Sequence, residues 1–132
     1  MSWDVILMNV SSHIDDPEQL KENPPAELGA KETVLASIHR LLPEVDLSDP
    51  SLGRLRSDEF SIEFNIGDTD PLRTMMLHIR GSDRVINILR LLCQQLGWKA
   101  LDSTTGKFID FDDDPARGLR LWREYKDKIV RH

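Results

Sequence analysis

Residues 60–66, Phe60-Ser61-Ile62-Glu63-Phe64-Asn65-Ile66, and residues 75–80, Met75-Met76-Leu77-His78-Ile79-Arg80, decide the fold. In the first, Phe60, Ile62, Phe64 and Ile66 alternate with Ser61, Glu63 and Asn65. In the second, Met75, Leu77 and Ile79 alternate with Met76, His78 and Arg80. A period of two marks a strand with one buried and one wet face. Between them Gly67-Asp68-Thr69-Asp70-Pro71 is a cluster of turn formers, so the two strands are expected to pair as an antiparallel meander. Leu52–Arg56, just upstream, fits a short edge strand.

Outward from this meander the period changes. Residues 30–42 place Val34, Leu35, Ile38, Leu41 and Leu42 on one helical face, and Pro43 cannot continue the helix. Residues 83–96 carry a second such stripe: Val85, Ile86, Leu89, Leu92, Cys93 and Leu96. Ser82 or Asp83 is placed to cap it, and Gly97 suits the left-handed residue that ends many helices. The apolar run from Trp3 to Val10 predicts an interior strand. Trp98–Asp102 and Lys107–Phe111 predict two short strands joined by a hairpin loop with Gly106 at positive φ. Asp114-Pro115 reads as a cap followed by proline in the first turn of a final amphipathic helix, from about residue 115 towards Val130. Residues 11–29 lack periodicity and predict a long surface loop pinned by Ile14, Leu20 and Leu28.

The order is β-α-β-β-β-α-β-β-α. Faces of this kind pack as two layers, so residues 1–132 are expected to form a single α+β domain. It is a two-layer sandwich, a mostly antiparallel sheet with helices on one face, akin to split-βαβ arrangements. Strand order is left open by the sequence.

Composition narrows the function classes. The chain has 132 residues, 39% hydrophobic, with a mean hydropathy of -0.39. That is enough to build a core and excludes a disordered or disulfide-built chain. Its net charge is -6, which disfavours nucleic acid and anionic membrane as partners. The charge is uneven: residues 1–70 hold 15 acids and 5 bases, residues 71–132 hold 8 acids and 12 bases. Cys93 is the only cysteine. No basic stretch precedes the first apolar run, and no apolar stretch reaches the ~18–20 residues of a membrane helix. A cytoplasmic protein is therefore expected.

The chemistry-bearing residues give few patterns. Asp110, Asp112, Asp113 and Asp114 cluster, but no glycine and distal glutamate follow at calcium-loop spacing. Capping and solvation account for them, and no metal or other cofactor is expected. Cys93 lies in an apolar stripe, where a thiol is a core residue rather than a nucleophile. The wet face of the meander is the most informative set. Glu63, Asn65, His78 and Arg80 share it, close enough for a Glu–Arg or Glu–His pair and for general acid–base work by His78. These four are the candidate binding residues, and no catalytic residue is assigned. Of the three tryptophans, Trp122 on the final helix is the one expected to be partly exposed. On that helix Leu119, Leu121, Trp122, Tyr125 and Ile129 gather on one side. Arg117, Arg120, Arg123, Lys126, Lys128 and Arg131 gather mostly on the other. The apolar side is expected to dock on the body.

The start Met1-Ser2-Trp3-Asp4, the stretches FSIEFNIGD at 60–68 and HIRG at 78–81, and LGWKALDSTTGKF at 96–108 resemble a group of small uncharacterised bacterial proteins. The resemblance implies a bacterial origin and a single-domain unit, and assigns no activity, partner or site residue. Small size, acidic charge, a long loop and the lack of catalytic motifs favour a non-enzymatic interaction protein, of immunity or accessory type, that binds a protein partner. The alternative is a small enzyme or ligand-binding domain that uses Glu63, His78 and Arg80. Ile88 and Leu91 fall outside the main stripe of the second helix. Their cover is expected from the chain's own last helix, giving a monomer, with a dimer as the alternative.

Overall fold

The computed structural model of the chain describes residues 1–130; Arg131 and His132 lie outside them. The strands are β1 (Trp3–Met8), β2 (Leu52–Arg56), β3 (Phe60–Asn65), β4 (Thr74–Gly81), β5 (Lys99–Asp102) and β6 (Lys107–Phe108). They form one sheet in the order β2-β3-β4-β1-β5-β6 with every neighbouring pair antiparallel. β1 is interior, as its continuous apolar character requires. β4 and β5 both run antiparallel to β1 and hence parallel to each other. The connection between them is therefore a split βαβ unit, with the first strand inserted in the gap. β6 is shorter than its sequence suggests, although Ile109 still donates to the Ala100 carbonyl at 2.8 Å.

The helices are α1 (Lys31–Leu41), α2 (Val85–Leu96) and α3 (Arg117–Val130). Val34 and Ile38 of α1, Val85, Leu89 and Leu92 of α2, and Leu119 and Trp122 of α3 join one buried cluster. Trp3, Val5, Leu7, Ile62, Phe64, Leu77 and Ile79 of the sheet belong to the same cluster. Those sheet residues are the alternate set that points one way, so all three helices lie on one face and the α+β sandwich holds. Ile88 packs against this core, while Leu91 is half-buried.

Helix ends depart from expectation twice. α2 starts at Val85 after Arg84, which makes no side-chain cap bond, although Ser82, one of the two expected caps, accepts from the Arg84 N–H through its Oγ at 3.4 Å. Asp83 instead holds Arg123 of α3 at 2.9 Å. α3 begins at Arg117, not 115. Asp114 sits at φ 51, outside the extended region a capping residue needs, and its carboxylate takes Arg120 at 2.6 Å. Gly97 does close α2, at φ 71. Trp122, expected to be partly exposed, is buried at 7%, as Trp98 is, because it anchors α3 in the core.

The long loop is ordered and covers part of the sheet's other face. Ile14 packs with Met8 and Val10 in a second cluster that Leu20, Ile6, Leu101 and Phe108 complete. A short 3₁₀ helix, Pro17–Lys21, sits within it, capped reciprocally by Asp16 and Gln19. Lys99 ties the loop down by donating to the Ile14 carbonyl. Leu28 packs against the main core instead. Among the described residues, no helix is long and apolar enough to cross a membrane.

Candidate functional site

The helix-free face left open by the loop carries the four residues singled out above. Glu63 stands directly opposite His78, Asn65 opposite Met76 and Arg80 opposite Ser61. The register thus brings the set together, but the expected Glu63 pairs are not what forms. His78 is also opposite Asp4 on its other side, and its Nδ1 lies 2.8 Å from Asp4 Oδ1. Arg80 turns away and donates from Nε to the Met1 carbonyl at 2.8 Å. Asp4 was hidden in the sequence as a single break in an apolar run.

Ser2 Oγ donates to Asp4 Oδ1 and lies 3.4 Å from His78 Nδ1. Serine, histidine and aspartate are therefore together, yet they do not form a relay. A triad histidine uses one ring nitrogen for the hydroxyl and the other for the carboxylate. Here both partners meet Nδ1, and the hydroxyl is spent on the carboxylate. The arrangement fixes the imidazole and leaves the Ser2 hydroxyl unactivated.

A deeper feature lies at the β6 edge, where the loop meets residues 108–112. Asp15, Asp110 and Asp112 rim a cleft of about 440 Å³ whose walls include Trp98, Phe108 and Phe111. Two cations of the chain already lie over these rings: Lys99 Nζ is 5.4 Å from the Phe108 centroid and the Arg90 guanidinium 5.8 Å from that of Phe111. Asp110 is oriented by accepting from the Asp112 N–H at 2.9 Å. Cys93 also lines the cleft. Burial pushes its thiol up to about 12, so it is protonated at neutral pH and not a nucleophile.

A smaller cleft of about 150 Å³ adjoins it through Phe108, Ile109 and Asp110, and reaches Asp102. Asp102, only 3% exposed, is the one buried charged side chain among the described residues. Its Oδ1 accepts from Trp3 Nε1 at 2.9 Å and from the Thr104 N–H at 2.8 Å. Gly118 in the first turn of α3 leaves room for the carboxylate, which a Cβ there would overlap. Asp114 at the rim is held below its ordinary range by its bond to Arg120. Among the described residues, no three His, Cys, Asp or Glu side chains are placed to hold a metal ion. Sequence reasoning explained the Asp110–Asp114 acids by capping and solvation; the aromatics interleaved with them, in Phe108-Ile109-Asp110-Phe111, were the signal of a wall. Neither a protein-family model, nor a curated protein, nor a solved structure matches this chain.

Proposed function

We propose that this is a non-enzymatic interaction protein, of immunity or accessory type, that receives basic side chains of a protein partner in the cleft at the β6 edge. The observation that carries the reading is the rim of three carboxylates, Asp15, Asp110 and Asp112, on a partly apolar cleft where the chain's own Lys99 and Arg90 already seat against the Phe108 and Phe111 rings. A lysine or arginine has an apolar stem and a charged tip, and such a cleft offers the right surface to each. Asp15, from the acid-rich residues 1–70, adds its charge to this rim. A cytoplasmic setting belongs to this reading. The polar sheet face supports catalysis less well, because Ser2 and Asp4 both meet the same nitrogen of His78.

Calorimetry with a short arginine-rich peptide tests the reading. Binding should saturate at one site, weaken with salt, and be lost in Asp110→Asn/Asp112→Asn. The charge-matched control Glu32→Gln/Glu44→Gln, on exposed residues elsewhere, should retain it. Equal binding by both double variants would reduce the effect to net charge and sink the cleft.

A further inference from the structure

Four large apolar side chains are exposed among the described residues, and three of them lie on α3: Leu121 at 39%, Tyr125 at 60% and Ile129 at 44%. The fourth is Met1. Spaced four apart, the three form one stripe along the helix, beside the face that Leu119 and Trp122 bury. A single exposed apolar residue needs no explanation, whereas three aligned on one helix face offer a surface on which a partner can pack. On one flank of this stripe stand Arg117, Glu124 and Lys128, all exposed.

From these positions we infer that the stripe is the contact of a weak two-fold dimer, in which α3 of one copy lies antiparallel on α3 of a second. A two-fold contact must be self-complementary, and this stripe is. Leu121 and Ile129 are each four residues from Tyr125. A two-fold axis at Tyr125 therefore sets Leu121 against the second copy's Ile129 and stacks the two tyrosines. The same operation maps Lys128 to position 122, two residues from Glu124, or about 3 Å along the axis at ~1.5 Å per residue. Because like flanks face each other, Glu124 of each copy meets Lys128 of the other, and these two ion pairs outweigh the single approach of the two Glu124 carboxylates at the same axial offset of about 3 Å. A one-helix contact belongs to the small, transient class of interfaces, roughly below 1,200 Å², so the dimer forms at high concentration and dissociates on dilution. Leu121, Glu124, Tyr125, Lys128 and Ile129 do not line the β6 cleft, and the test does not depend on that reading.

Sedimentation velocity on the full chain, from micromolar to about 1 mM, reads the equilibrium. A dimer should appear as concentration rises, and Tyr125→Asp should abolish it with the melting curve unchanged, since Tyr125 is exposed. Glu124→Lys should weaken the dimer roughly tenfold or more, and the swap Glu124→Lys/Lys128→Glu should restore it. A monomer across the whole range overturns the inference. So does a dimer that survives Tyr125→Asp, or one the swap fails to rescue. Phosphatidylglycerol vesicles provide a further arm: co-sedimentation of a wild-type monomer, lost in Tyr125→Asp, would assign the stripe to an anionic membrane instead and overturn the dimer.

Discussion

Asp102 shows what one residue demands of distant parts of the chain. A buried carboxylate is tolerated only when its lost water is replaced by donors. Here an indole N–H comes from β1 and a backbone N–H from the hairpin loop, while Gly118 supplies empty space at the start of α3. Alanine is the better helix former by about 1 kcal/mol, so Gly118→Ala would stabilise an unconstrained helix. In this fold it should instead destabilise by about 1–3 kcal/mol, because the new methyl displaces the carboxylate or lifts the helix. Urea unfolding measures this, and a neutral or stabilised variant would show that Asp102 has room to move. Little of this was legible beforehand. Periodicity reports which face a residue occupies, and it says nothing of a bond between Trp3 and Asp102, 99 positions apart. A glycine within a helical pattern was the only local hint.

At the scale of elements, α1 and α2 were readable because each buries one wide apolar stripe. α3 was readable only as amphipathic. Its sequence put five apolar residues on one side, but only Leu119 and Trp122 are buried. The difference is set by anchoring. Arg123 donates to the Gly81 carbonyl at 2.6 Å and pairs with Asp83, Arg120 pairs with Asp114, and these contacts fix the rotation of the helix. Trp122 reaches the core with its Nε1 lacking an acceptor, a cost accepted for the area its ring buries. The two leucines of α3 should therefore behave differently. Leu119→Ala should cost roughly 2–5 kcal/mol through a core cavity. Leu121→Ala should stay within about 0.5 kcal/mol, as surface changes do. Equal losses in thermal unfolding would mean that the whole apolar side is docked.

For the whole molecule, class and layer count followed from the pattern of faces, while strand order did not, because pairing partners far apart in sequence leave no local trace. The candidate set Glu63, Asn65, His78 and Arg80 was gathered correctly on one face, yet its bonding was decided by Asp4 on a strand that periodicity could not place beside it. Titration provides a global check. Asp46, Asp49 and Asp114 have native pKa values below the ordinary 3.8, so their stabilisation is present above that value and is lost as pH falls through the lowered ones. Cys93 is raised from 9.0 to about 12, so its contribution is present below pH 9.0 and is lost as pH rises towards that upper value. The melting temperature should be level at neutral pH and fall on both sides, with the alkaline limb shallower in Cys93→Ala. An identical alkaline limb in that variant would remove the thiol from the account. The central place of β1 also has a temporal side. Its two hydrogen-bonding neighbours begin at Thr74 and Lys99, so during synthesis the first strand leaves the ribosome long before either exists. At ~5–20 residues per second that wait is several seconds, during which Val5-Ile6-Leu7-Met8 has no sheet to join and is open to any chaperone that recognises an extended apolar segment.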